Sequence, residues 1–258
     1  MPPASIRSDG KAALDPKLSR PAQVAEAIKD YIVRERLQPG DRLPSEPELI
    51  ERFAMAKGTI REALRLLDAQ GLVKSRTGPG GGTFVHEVSP ERAAALLANY
   101  FYFKDLTISD IYQLRRVLEP ELVASLAGKL PPRVIDRLRA IVATYSAPAE
   151  TDEEERDQHI ATLRFHKLLA EQSSNPLLSF LIGFMLTILT DITVYRRLYT
   201  PINRDLWKRG LDFHLRLIEA LEAGDSGAAR AIMTAHMQTA QPLMEGQEAY
   251  SLKRFIND

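Results

Sequence analysis

From residue 89 to about residue 240, every stretch with a regular apolar spacing repeats at three and four residues, and no alternating stretch recurs. A chain patterned in this way buries its apolar stripes helix against helix. The pattern predicts helices over about 90–102, 108–128, 132–145, 155–172, 176–199, 203–222 and 226–240. Breaks fall at Pro131-Pro132, Asn175-Pro176, Thr200-Pro201 and Gly224, and at an acidic run, residues 152–157, that reads as a solvated loop. The chain has 258 residues, a length that suits two modest domains better than one. It has no cysteine, which excludes a disulfide scaffold, a thiolate metal site and a cysteine nucleophile. The longest apolar run, 177–189, has 13 residues, short of the about 20 that cross a bilayer. Being apolar nearly all round, it is expected at the centre of the bundle or against a second subunit. The first thirty residues hold no apolar segment of a signal peptide. A soluble cytoplasmic protein without a membrane partner is the expectation.

The segment before residue 89 reads differently. After a mixed-charge arm, Val24, Ile28, Tyr31 and Ile32 set a helical period that Pro39-Gly40 ends. Ser45 to Glu48 forms a capping box ahead of Leu49, Ile50 and Phe53, and Pro47 is tolerated in that first turn. A third helix over about 57–70 carries Ile60, Ala63, Leu64 and Leu67 on one face, with Gly71 placed to cap its end. Two short strands, 72–76 and 83–86, flank Gly78-Pro79-Gly80-Gly81-Gly82. Three helices and a hairpin spell a winged helix-turn-helix. Net charge over the whole chain is zero, yet residues 57–76 hold Lys57, Arg61, Arg65, Lys74 and Arg76 against Glu62 and Asp68. Lys57, Arg61 and Arg65 are spaced by four, so they form a stripe turned away from the apolar face and able, with Thr59, to enter a major groove. The glycine tip lacks bulk, so its backbone can approach a sugar-phosphate wall, flanked by Lys74 and Arg76. Solvated surface charge is the competing explanation of the same pattern.

In the helical half, His166, His214 and His236 lie on the inward faces of three helices, spaced with Leu163 and Leu169, Leu211 and Leu217, and Ile232 and Met233. A lone inward histidine is ordinarily a hydrogen-bonded core residue. Three in one bundle suggest a shared site, because imidazole is a common ligand for borderline metals. Arg115 lies on the buried stripe set by Ile108, Ile111, Leu118 and Leu122. A buried guanidinium needs an anion, either a carboxylate of the protein or that of a bound ligand. Tyr112, Arg164, Arg196 and Arg197 are further candidates to reach such a ligand. No carboxylate is expected on the inward stripes beside the three histidines.

The string "LPSEPELIERFAMAKGTIREALRLLDAQGLVKSRTGPGGGTFV" resembles the DNA-binding domain of GntR-type bacterial regulators over about residues 21–88. The resemblance implies DNA contacts from Lys57, Thr59, Arg61 and the wing glycines, Gly80 and Gly81 among them; Ser45, Arg65 and Arg76 complete the expected DNA-binding set. Two positions depart from the family pattern. Pro47 stands where an arginine usually grips the backbone, and Lys57 replaces an arginine, losing its two-pronged fork. The strings "IYQLRRVLEPELVASLA", "FHKLLAEQSSNPLL" and "HLRLIEALEAGDSGAARAIMTAHM" are similar to the all-helical effector domain (FCD type) of the FadR subfamily. That likeness implies a divalent metal, zinc or nickel, on His166, His214 and His236, with a small organic acid beside it. The family's aspartate, one turn before the first histidine, is Thr162 here, a weak neutral ligand. Arg115 and Thr162 are the expected ligand contacts, either beside a metal at +2 or in a metal-free histidine pocket.

The expectation is therefore a mainly α chain: an arm, 1–18; a winged helix-turn-helix, 19–88; an all-α ligand-binding and dimerisation bundle, 89–245; and a tail, 246–258. Its expected work is that of a homodimeric, ligand-responsive transcription regulator, a repressor of operator DNA, and not an enzyme. The rival readings are a metal-dependent hydrolase or hydratase and a constitutive DNA binder.

Overall fold

A computed structural model describes residues 18–101 and 103–257. The expected N-terminal arm lies outside the described residues, apart from its last position. The chain divides into two compact units, Met1–Ala93 and Ala94–Asp258.

In the first unit, α1 (Arg20–Arg34) opens on Ser19, whose side chain accepts the Ala22 amide, with Pro21 in the unpartnered first turn. Helix α2 (Glu46–Phe53) begins at the expected capping box: the Ser45 amide and hydroxyl donate to Glu48 Oε2 at 2.7 and 2.6 Å. Helix α3 (Lys57–Gln70) stops at Gly71, which takes the left-handed conformation at φ +81°. Strands β1 (Val73–Arg76) and β2 (Gly82–Val85) pair antiparallel, with Val73 opposite Val85 and Arg76 opposite Gly82. Residues 41–43 extend along the outer edge of β2, where the Val85 amide donates to the Asp41 carbonyl and the Leu43 amide to that of Thr83, both at 2.8 Å. Val24, Ile28, Leu43, Leu49, Ile60, Leu67 and Val73 close the core. This is a winged helix-turn-helix.

The second unit is helical throughout its described residues: α4 (Pro90–Phe101), which begins just before the division, then α5 (Ile108–Leu126), α6 (Pro132–Ala143), α7 (Asp152–Ala170), α8 (Pro176–Tyr195), α9 (Arg204–Ala223) and α10 (Ser226–Asn257). Helix α5 is packed on by α7, α8, α9 and α10, and α6 lies against α7 and α9. Leu122, Leu138, Phe165, Leu169, Ile182 and Leu217 meet in one core.

Three expectations are corrected here. The acidic run 152–157 is helix, not loop. Thr151 caps α7 by accepting the Glu154 amide, and four acidic residues in the first turn sit at the positive end of the helix dipole. The expected tail from residue 246 continues α10 to Asn257. Pro242 removes only its own amide from the ladder. Beyond it, Met244, Gln247, Glu248 and Ser251 are buried. Glu248 accepts from Arg196 Nη1 at 2.5 Å and from the Ile108 amide at 3.2 Å. Helix α8 has 20 residues at mean hydropathy 2.1, long and apolar enough to cross a membrane by those measures, so the length of the 13-residue run does not by itself exclude a span. Its Ile182, Met185, Leu186 and Leu189 join the bundle core, while Leu177 is 65 % exposed.

Candidate functional site

His166 from α7, His214 from α9 and His236 from α10 are buried and face one another. His166 Nε2 lies 3.2 Å from His214 Nε2 and 3.2 Å from His236 Nε2. Nitrogens bound tetrahedrally to one zinc at about 2.0–2.1 Å would stand roughly 3.3 Å apart, so this spacing fits a shared ion. The opposite ring nitrogens are held from behind. His166 Nδ1 meets Glu119 Oε2 at 2.5 Å, and His214 Nδ1 meets the Tyr145 hydroxyl at 2.9 Å. A carboxylate on Nδ1 fixes the tautomer that turns a lone pair inward at Nε2, the usual support of a metal-ligating histidine. Three buried histidines thus form a group able to hold a metal ion.

Glu119 overturns the expectation of no carboxylate beside the histidines. It is fully buried, one helical turn after Arg115, and its Oε1 accepts Arg115 Nε at 2.5 Å. Burial pushes its carboxyl up, but Arg115 and His166 outweigh that and hold it well below the usual carboxylate range. Arg115 therefore has a protein carboxylate as partner, and its charge is offset within the pair. One of its nitrogens, Nη2, is buried without a protein partner. The guanidinium also lies over the Tyr112 ring at 4.8 Å.

Arg115, the three histidines, Thr162 and Tyr112 line one cavity of about 620 Å³, mouth included. Thr162 donates its hydroxyl to the His159 carbonyl at 2.8 Å, leaving only lone pairs to offer the cavity. His159 sits on the same wall and pairs with buried Glu155 at 3.4 Å. Arg164 borders a separate surface groove, and neither Arg196 nor Arg197 lines the cavity: they pair with Glu248 and Asp152. Sequence reasoning also missed Tyr145, Glu155, Gln158, Thr193 and Trp207. These are single polar positions on otherwise ordinary helix ends and faces, and no spacing singles them out.

Burial pushes all three cavity histidines down, His214 and His236 well below the ordinary value. The unfolded chain regains ordinary histidines near 6.5, so below that pH it takes up protons that the folded protein refuses. Stability of the metal-free protein should therefore fall as pH drops from 7.5 to 5.5, by about 1 kcal/mol per pH unit for each such proton. Glu119 acts in a lower window, losing its contribution only as the pH falls through and below the ordinary carboxylate range. Urea unfolding at three pH values checks this. A flat profile would mean that the imidazoles accept protons in the folded state.

In the first unit, Lys57, Arg61 and Arg65 of α3 are exposed and turned away from Ile60, Leu64 and Leu67, with Thr59 half-buried beside them. Arg61 Nε donates to both Glu46 oxygens at 3.0 Å, so its two terminal nitrogens point onward as a held fork. Arg65 reaches Glu62 at 3.3 Å, and Arg76 lies over Phe84 at 4.9 Å. Ser45 has its hydroxyl committed to Glu48. At the wing, Gly80 adopts φ +76° with open space beside it. A Cβ at Gly81 would stand 2.6 Å from the Arg76 carbonyl oxygen, so no side chain fits. Arg42 Nη2 donates to the Gly81 carbonyl at 2.7 Å and braces the tip, a role 39 residues away that local pattern does not disclose.

Comparison with known proteins places these two units in a family. Residues 110–239 match the FCD domain, and residues 21–85 match "Bacterial regulatory proteins, gntR family". The chain is 27% identical over 211 residues to the HTH-type transcriptional regulator LutR of Bacillus subtilis (strain 168), covering 81% of this chain and 94% of that protein. It is also 27% identical over 236 residues to the Uxu operon transcriptional regulator of Escherichia coli (strain K12), covering 88% of each. A solved structure of Streptococcus agalactiae GntR shares the fold at a TM-score of 0.60 and 22% identity, over 86% of this chain and 99% of that one. With a reading helix and wing in one unit and an FCD bundle in the other, the chain belongs to the GntR family of DNA-binding transcriptional regulators, in its FadR-like, FCD-bearing branch.

Proposed function

We propose that this regulator acts as a cytoplasmic homodimeric repressor whose effector is a small carboxylate, bound beside a divalent metal, zinc or nickel, on His166, His214 and His236. The observation that carries the reading is the convergence of three inward Nε2 atoms with the unpartnered Nη2 of Arg115 on one cavity. When bound, the metal supplies open positions for a carboxylate oxygen. The chain supplies the rest. Glu119 fixes the His166 tautomer and offsets the charge of Arg115, whose Nη2 remains to donate to the ligand; Thr162 offers a lone pair from the same wall. Without the family's aspartate the loaded centre carries +2 rather than +1, which favours an anion directly upon it.

Dimerisation has support in two helices that pack on each other with apolar residues still open to solvent: Leu114 and Val117 on α5, Leu177 and Leu181 on α8. Two reading helices in such a dimer would meet the halves of a near-palindromic operator, with Lys57, Thr59, Arg61 and Arg65 toward bases and phosphates and Arg76, Gly80 and Gly81 along the backbone. A carboxylate that prefers one dimer geometry would change the spacing of those helices and release the DNA.

Metal content tests the centre. Protein purified without chelator or nickel resin should retain one divalent ion per chain. Restoring the family's carboxylate in Thr162→Asp should tighten zinc binding about 10-fold or more by calorimetry, because a charged ligand replaces a neutral one. No zinc binding by either protein would remove the metal from the mechanism.

A further inference from the structure

Three buried polar atoms of the described residues lack a protein partner: Arg115 Nη2, Gln158 Oε1 and Thr193 Oγ1. All three belong to residues that line the same cavity. We propose that the effector carries, beside the carboxylate assigned above, a hydrogen-bond donor, a hydroxyl or an ammonium group, received by Gln158 and Thr193. The proposal rests on the carboxylate reading and adds the chemistry of the ligand's other end.

Gln158 is set as an acceptor by its neighbour. Its Nε2 donates to the Ala147 carbonyl at 2.8 Å, so the amide cannot be flipped without setting oxygen against oxygen. Its Oε1 is thereby left buried, able only to accept. Thr193 stands out by contrast with its own helix, and its unpartnered hydroxyl can donate to a ligand as well as accept from one. Thr187 and Thr190 donate their hydroxyls to carbonyls four residues back, at 3.0 and 2.8 Å. Thr193 is fully buried and makes no such bond. Glu155 adds a carboxylate to the same cavity; it is buried, accepts the Asn203 amide at 3.2 Å and lies 3.4 Å from His159. Its second oxygen is a further acceptor for that end.

The two chemistries are separated along α7. Gln158 precedes His166 by eight residues and Glu155 by eleven, which is roughly 12 and 16 Å of helix axis. An anion is drawn to the His166 and Arg115 end. Acceptors gather toward the N-terminal end of the helix, where a second carboxylate would be repelled by Glu155. An unsubstituted acid would bury Gln158 Oε1 unmet, and a site built around such an atom discriminates against the ligand that lacks its partner.

The test uses full-length zinc-supplemented protein and matched acids of four to eight carbons: the plain alkanoate, its ω-hydroxy form and its ω-amino form. Binding is read by thermal shift and calorimetry. At the chain length that fits, at least one donor-bearing acid should bind about tenfold or more tightly than its plain parent. Thr193→Val and Gln158→Met should shrink that advantage to less than about threefold while leaving the plain acid's affinity in place, which also reports that the variants fold. Plain and donor-bearing acids of equal affinity would overturn the proposal and spare the carboxylate reading. If no acid of any kind binds, the carboxylate reading itself fails, and this proposal with it.

Discussion

Replacing Arg61 by alanine should weaken binding to DNA by about 30-fold or more while leaving the bundle untouched. A bidentate arginine–guanine contact contributes about 1–3 kcal/mol, and the proposed dimer would make it twice. Lys57 cannot substitute, since an ammonium lacks the planar fork, and Pro47 offers no donor at all. The geometry supports Arg61 as the proposed reader on α3: Glu46 accepts its Nε with both oxygens, which leaves the two terminal nitrogens for a base edge. Lys57→Ala, by contrast, should lower affinity nearly uniformly across sequences and flatten the salt dependence, as a phosphate contact does. Duplexes selected from a randomised library by the wild-type protein provide the probe. Unchanged affinity in Arg61→Ala, with the dimer and the thermal response to acids intact, would show that α3 does not read bases through this residue.

Glu119→Ala carries the largest expected loss of stability. The side chain satisfies two buried groups at once, Arg115 Nε and His166 Nδ1, both at 2.5 Å. Removing it strands a permanent cation in the core, a change that costs about 3–5 kcal/mol when one partner of a buried pair is deleted. It also frees the His166 ring to rotate, and loss of such a supporting carboxylate lowers metal affinity about 10–100-fold. Urea unfolding and zinc calorimetry separate the two effects. Glu119→Gln keeps shape and one acceptor, so it should recover part of the stability but little of the zinc affinity. Equal stability of wild type and Glu119→Ala would mean that water or another group already satisfies Arg115.

The first unit was read from its sequence almost residue by residue, because its boundaries are set by local chemistry: the Ser45–Glu48 box, Gly71 and the glycine run of the wing. The three histidines were legible for a related reason, since each repeats with leucines or methionine on a single face. Glu119 escaped although its position was readable, one turn after Arg115 on the same buried stripe, an i,i+4 pair of opposite charge. It lies on α5, whereas the histidines lie on α7, α9 and α10, so no spacing within a histidine-bearing helix discloses it. Thr151 followed by four acidic residues was likewise a helix start mistaken for a loop, a confusion of solvated charge with dipole-stabilised charge. The length of α10 had no local signal. Pro242 and Gly246 argue for an end, and what overrides them is tertiary: Gln247 donating to the Leu198 and Pro201 carbonyls, Ser251 to that of Arg196, Glu248 holding the Arg196 side chain. Residues such as Gln158 and Thr193 belong to the same class, significant only once the cavity between helices exists.

Coupling between the two units is tested directly by one measurement: the affinity of the full-length protein for its selected duplex, with and without a saturating acid that raises its melting temperature. A repressor released by its effector should bind that duplex about 5- to 150-fold more weakly when the acid is present. Identical affinities in the two conditions, at a concentration where the acid demonstrably occupies the bundle, would contradict it.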